Sequence, residues 1–189
     1  TTSITASAGA IVGSYQVTAS VPDGVTSATF HLDNRSTEPA HISVVSGSPQ
    51  SATVDQAFAA SLVVRVTDAA GNPVAGRTVS FAGTSATTAL ITTPADVTDA
   101  DGQARISVTA GTLAAPYDIT ATTSGVNESA IFNLRNTAGA PRHLSIVSGD
   151  GQHAKVDQAF ALVVVLRATD AYGNAVPGAS VVLDTNALV

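Results

Sequence analysis

The sequence contains no cysteine, methionine or tryptophan, and a single lysine, Lys155. Without cysteine there is no disulfide, no thiolate metal site and no cysteine nucleophile. Aromatic residues are 4% and charged residues 12% of the 189, so the chain encodes neither a broad stacking platform nor a coil held open by charge repulsion. Eight basic residues stand against fourteen acidic ones, a net charge of -6, and no basic stripe is available to neutralise phosphates. Nucleic acid is therefore not expected as a partner. Apolar runs such as residues 162–166 fall far short of the roughly 20 residues a membrane-spanning helix needs, and nothing at the N-terminus reads as a signal peptide. No membrane insertion is expected of this segment. The absence of an initiator methionine reads as an excerpt or a processed product, with any export signal or anchor expected outside these residues.

What is present is a 44% hydrophobic composition built from small side chains, enough for a packed core, and an internal repeat. Tyr15 recurs as Tyr117, Phe30 as Phe132, His41 as His143, and the run Val54-Asp55-Gln56-Ala57-Phe58 as Val156-Asp157-Gln158-Ala159-Phe160; every offset is 102. Laying residues 1–87 on 103–189 without a gap gives 35 identical pairs in 87, about 40%. A period of 102 is too long for a solenoid unit and long enough for a domain with its own core. Residues 136–141 and their counterparts 34–39 are small, polar and closed by Pro141 and Pro39, which marks them as linkers. The expected organisation is residues 1–39 as the C-terminal part of one repeat, 40–141 as a complete repeat, and 142–189 as the N-terminal part of another. The two end pieces together lack only the equivalent of positions 88–102, which is 15 residues.

Within the complete repeat the hydrophobic period is two. Leu62, Val64 and Val66 alternate with Val63, Arg65 and Thr67, and Ala130, Phe132 and Leu134 alternate with Ile131, Asn133 and Arg135. β-branched Thr and Val, stiff at χ1, suit a pleated surface. The pattern predicts strands near 41–46, 53–67 (broken or kinked around Ala57), 74–81, 88–92, 94–98, 104–110, 117–123 and 128–135. Turn chemistry separates them, as in Asp68-Ala69-Ala70-Gly71-Asn72-Pro73 and Asp99-Ala100-Asp101-Gly102. Seven or eight strands in about 100 residues predict an all-β fold, a sandwich of two antiparallel sheets of immunoglobulin-like size. Phe58, Phe81 and Phe132 fall on the apolar phase as core candidates, whereas Tyr172 falls on a turn.

The run from Val66 to Phe81 through Asp68, Gly71-Asn72-Pro73 and Gly76, followed by Val97-Thr98-Asp99-Ala100-Asp101-Gly102-Gln103-Ala104 and Tyr117-Asp118-Ile119-Thr120-Ala121, resembles the bacterial Ig-like domain of the intimin and invasin type. The third copy begins the same pattern at Ala168-Thr169-Asp170-Ala171-Tyr172-Gly173-Asn174. The resemblance implies tandem Ig-like domains that serve as stalks of bacterial surface adhesins or long repetitive surface proteins, with receptor binding placed in a distal tip. It also implies an extracellular location.

Three carboxylates, Asp68, Asp99 and Asp101, are the candidate metal ligands, because hard cations such as calcium gather several carboxylate and carbonyl oxygens. Asp is also what these tight turns require, and the twelve-residue calcium loop pattern is absent. No other cofactor is expected. His41 and His143 recur just after each linker proline, where a pH-sensitive junction or a structural hydrogen bond are the alternatives. No nucleophile elbow supports Ser-His-Asp chemistry, so catalysis is not expected. A Lys–Asn isopeptide crosslink is excluded within 40–141, which contains no lysine. Asn34-Arg35-Ser36 and Asn127-Glu128-Ser129 fit the glycosylation pattern, which says little in a bacterial chain.

The expected function is a non-catalytic stalk or spacer of a bacterial surface adhesin, whose partners are neighbouring Ig-like repeats of the same chain. A second expectation is a self-assembling filament subunit, in which residues 142–189 of one chain are complemented by residues 1–35 of the next. A third is direct binding of a host receptor by loops at one end of the sandwich. A longer array is the simpler explanation of the half-domains, since exposing half a core to water is unfavourable.

Overall fold

The computed structural model describes residues 3–22, 26–34, 38–83, 85 and 87–184. Among these, fourteen strands and no helix form. The linker counterpart 34–39 and the pattern at Asn34-Arg35-Ser36 lie partly outside the described residues.

The central domain is a sandwich. One sheet has the order β3 (His41–Ser46), β5 (Leu62–Thr67), β9 (Gln103–Ile106). The facing sheet runs β4 (Gln50–Thr53), β12 (Ala130–Thr137), β11 (Pro116–Thr123), β6 (Thr78–Gly83), β8 (Ala95–Val97), with β4 parallel to β12 and the other pairs antiparallel. A two-residue pair, β7 (Ala89–Leu90) with β10 (Thr109–Ala110), closes one side. Alternation decides which face goes inward: along β12, Ala130, Phe132, Leu134 and Asn136 are buried while the residues between them are exposed. Phe132, Leu62, Ile119, Val64, Val66, Val74 and Val79 are fully enclosed, and the rings of Phe81 and Phe132 lie 6.2 Å apart, tilted by 39°. Phe58, Phe81 and Phe132 all lie in this core, as their phase predicts.

The stretch 53–67 is broken around Ala57, β4 ending at Thr53 and β5 starting at Leu62, with Asp55 at a positive φ of 64° and an isolated bridge at Ala57 between them. The strand pattern differs from the expected one in two places. The strand expected from 74 begins at Thr78, after Gly76 turns the chain with φ 74°. The strand expected over 104–110 is broken into β9 and β10 at Ser107 and Val108. Hydrophobic alternation continues through each break, so the sequence pattern did not register the interruptions.

The end pieces reproduce parts of this domain in the same register. In β1 (Gly13–Ser20) and β2 (Ser27–Asn34), Tyr15 opposes Leu32 and Val17 opposes Phe30; in β11 and β12, Tyr117 opposes Leu134 and Ile119 opposes Phe132. In β13 (His143–Ser148) and β14 (Val165–Thr169), His143 opposes Thr169 as His41 opposes Thr67, and the irregularity at Ile146/Ser148 repeats the one at Val44/Ser46. The bridge Thr67–Pro73 recurs as Thr169–Ala175.

The two equivalent tyrosines differ in their side-chain surroundings. Tyr15 donates to Ile11 O and accepts from Asn34 Nδ2 at 3.2 Å on a half-open hairpin, whereas the Tyr117 hydroxyl is buried without a hydrogen-bond partner. Burial pushes the Tyr117 phenol up from 10.0 to about 12. The unfolded chain therefore loses this proton first. The stability tied to the neutral phenol is complete below about pH 10 and is lost as pH rises towards about 12. Tyr117→Phe removes the orphaned hydroxyl, and we expect it to melt at or above the wild-type Tm at pH 7 and to fall less steeply between pH 10 and 12. A Tyr117→Phe melt that tracks the wild type across that range would contradict the assignment.

Candidate functional site at the domain junction

The two Asp-rich turns sit at one end of the central sandwich, held together by Val66 N donating to Gly102 O at 2.8 Å. Gly102 is required there: its φ is 72°, and a Cβ would lie 2.5 Å from Val66 O. In the first turn, Asp68 Oδ1 accepts from Ala70 N (2.9 Å) and Asn72 N (2.8 Å), and Oδ2 accepts from Asn72 Nδ2 (3.0 Å). In the second, Asp99 Oδ1 accepts from Asp101 N and Gln103 N, both at 2.9 Å, and Oδ2 faces Arg105 Nη2 at 3.5 Å. Both carboxylates thus act as the acceptors that fold their own turns. Among the described residues, no three His, Asp or Glu side chains are grouped as a metal site.

The third copy of the first turn reaches the preceding domain. Asp170 Oδ1 accepts from Tyr172 N and Asn174 N at 2.9 Å, in the pattern of Asp68, and Oδ2 accepts from both Asn174 Nδ2 (2.9 Å) and Gly139 N in the linker (3.0 Å). Asn174 Nδ2 donates to Thr112 O at 2.8 Å, and its Oδ1 accepts from Ala114 N at 2.9 Å. Tyr172 OH donates to Asp55 Oδ2 at 3.1 Å, and this bond raises the pKa of the phenol. One turn therefore grips the end of the preceding domain at the linker, at the loop 111–114 and at Asp55. Asp170 is only 1% exposed. Burial acts to raise its pKa, but four hydrogen bonds, from the Asn174 side chain and the Gly139, Asn174 and Tyr172 amides, outweigh burial and hold it at about 2. The carboxylate is ionised across the neutral range, and its contribution, present above its ordinary 3.8, is lost as pH falls through about 2.

The receiving loop is itself braced. Asn136, buried at the end of β12, donates from Nδ2 to Leu113 O (3.0 Å) and Thr88 O (2.7 Å). Its counterpart Asn34 donates to Ile11 O and Gly9 O, both at 3.1 Å. One repeat earlier, Asn72 Nδ2 lies 3.5 Å from Ala10 O, and Ala10 and Thr112 are 102 positions apart. The same side chain thus reaches the same carbonyl at both junctions, more loosely at the first.

The histidines after each linker proline take no part in this grip. His41 is exposed, with Nδ1 3.4 Å from Glu128 Oε2, and His143 is exposed on β13. Asp55 and Tyr172 were not singled out as a pair by their sequence pattern. The available sequence signal was the repetition of Asp55 as Asp157; the structure holds both at positive φ.

Taken together, the geometry defines one immunoglobulin-like sandwich whose end is bonded to the turn at Asp170. Residues 42–133, within the central domain, match the bacterial Ig-like domain (group 1) family. FdeC, an adhesin of Escherichia coli, is 18% identical over 88% of this chain and 53% of its own, with a TM-score of 0.52, which shows a shared fold. Two further likenesses have TM-scores below 0.5. The surface layer protein SbsC (domains 1-6) is 18% identical over 88% of this chain and 20% of its own, at 0.43, and the D0-D1 domains of intimin are 18% identical over 66% and 64%, at 0.39. The chain thus spans about a fifth of that SbsC structure and about half of FdeC. No curated protein matches the chain. Thermal melting in millimolar calcium against chelator tests the metal reading of Asp68, Asp99 and Asp101. Because the turn amides already occupy Asp68 and Asp99, we expect an unchanged Tm, and a rise of several degrees would assign the ion to these turns.

Proposed function

We propose that the chain is a non-catalytic stalk segment of a bacterial surface protein, whose activity is to hold successive domains at a fixed spacing and angle. The observation that carries this reading is the recurrence of the junction bond at the repeat offset, Asn72 to Ala10 O and Asn174 to Thr112 O. A flexible tether needs no such bond. A spacer that projects a tip needs it at every junction, because each free hinge shortens the mean reach of the array.

The mechanism is local. Pro141 closes the linker and restricts its own φ, the Asp170 carboxylate draws the Gly139 amide onto the next domain, and the Asn174 amide group bonds loop 111–114 as both donor and acceptor. An ionised acceptor strengthens the linker bond relative to a neutral one. The match of residues 42–133 to the bacterial Ig-like family and the fold shared with FdeC support a place at the bacterial surface.

Asn174→Ala removes both bonds to the loop while leaving the amides that bond Asp170 Oδ1 in place. Net of solvation, the loss is about 1–3 kcal/mol of docking. The chain has no native cysteine, so spin labels at Thr122→Cys and Ser180→Cys report the junction alone. The wild-type background is expected to give a narrow distance distribution by pulsed electron resonance, and Asn174→Ala a broad one. Equally broad distributions in both would refute a fixed junction.

A further inference from the structure

A sheet that does not close ends on strands with a row of unpaired backbone groups, and such a row invites a strand from another molecule. In the central domain β8 ends one sheet beside β6, and β9 ends the other beside β5. The two follow each other in the chain and lie together where the sheets meet, forming a seam along one side of the sandwich. The seam lies within residues 95–106.

It begins as a hairpin and then opens. Asp99 N donates to Gln103 O at 2.9 Å across the turn, and the next rung in that register would have Arg105 N donate to Val97 O. Instead β8 follows β6 and β9 follows β5 into different sheets. Val66 N bonds Gly102 O, so the bonded pairs between β5 and β9 recur at Ala104 and Ile106, and the amides of Gln103 and Arg105 point to the open side. Both are taken by carboxylates. Gln103 N donates to Asp99 Oδ1 at 2.9 Å, and Arg105 N to Asp96 Oδ2 at 2.8 Å. Asp99 is needed for its turn in any case; Asp96 is not. It opposes the fully buried Val79, and directly opposed residues share a face, so its carboxylate sits on the core side of β8 and is half-buried there. A β-branched apolar residue would suit such a position better. The strand itself is short, three residues, and follows Pro94, which has no amide hydrogen to offer.

We propose that Asp96 guards this seam against strand addition by a second copy of the chain. A copy is the matching occupant because it offers the same edge: two β9 strands can run antiparallel about a two-fold axis, each supplying backbone acceptors to the Gln103 and Arg105 amides of the other. While Asp96 holds the Arg105 amide, an incoming strand must first break that bond and then bury a carboxylate stripped of its donor, so pairing is unfavourable. Copies crowded side by side therefore stay separate along this edge. The inference is independent of the spacer reading, which turns on the junction at Asp170 and not on this seam.

Hydrogen exchange of the Arg105 amide, followed by NMR in the full chain, tests it at the atom concerned. In the wild type and in Asp96→Asn, whose amide oxygen still accepts, exchange is expected to be slow and the same at micromolar and millimolar concentration. In Asp96→Ala it is expected to be at least about tenfold faster at micromolar concentration, and to slow several-fold at millimolar concentration as a second copy takes the freed amide. Asp96→Val, which sets a β-branched apolar residue beside Val79, is expected to behave as Asp96→Ala does and keeps the test decisive where the alanine variant fails to fold. The proposal is overturned if the variants lacking the acceptor exchange as slowly as the wild type when dilute, or if their exchange does not depend on concentration. A wild-type amide that itself slows on concentration overturns it too, as does an Asp96→Asn that exchanges like Asp96→Ala.

Discussion

Loop 111–114 is where one sandwich ends and the next begins, and two asparagine side chains fix it from opposite sides. Asn136, from within the domain, holds Leu113 O; Asn174, from the following domain, holds Thr112 O and Ala114 N. An amide side chain can do this because it carries donor and acceptor on one planar group. The next sandwich is thereby bonded to a loop that the core of the first keeps in place. If Asn136 let go, the carbonyl at residue 112 would no longer be presented, and the grip of the Asp170 turn would rest on Gly139 and Asp55 alone.

The fold itself rests on modest means. With few aromatics and no crosslink, the core is filled mainly by Val, Ala, Leu and Ile around three phenylalanines, and cohesion comes from the number of close contacts rather than from large anchors. Alternation supplies specificity. A slip of one residue in β12 would carry Phe132 and Leu134 to the solvent face and bring Asn133 and Arg135 inward. The buried carboxylate of Asp170 is tolerable for a related reason, since donors surround it on every side that water has left.

Much of the architecture was legible in the residues. The registers of the end hairpins agree with the offset of 102 pair by pair. The inward phase of Phe58, Phe81 and Phe132 followed from alternation alone. The break around Ala57 was expected, whereas the one at Ser107-Val108 was hidden because a bend does not interrupt the apolar pattern. The role of Asp170 was hidden for a different reason. Asp68 and Asp170 make the same local turn, and the bond from Asp170 to Gly139 joins segments 31 positions apart that no local spacing rule connects. Tyr172 was legible as a turn residue, but its partner Asp55 lies 117 positions away and no spacing rule connects them.

The central claim is that the bonded turn makes neighbouring domains one body. Residual dipolar couplings of backbone amides in a weakly aligned sample measure this directly, because they report the orientation of each N–H vector in a common frame. The account predicts that couplings from β5, β11 and β12 and those from β14 with the Asp170 turn fit a single alignment tensor of one magnitude and rhombicity. Two tensors of clearly different magnitude, one for each side of the linker, would mean that the domains reorient freely and would contradict it.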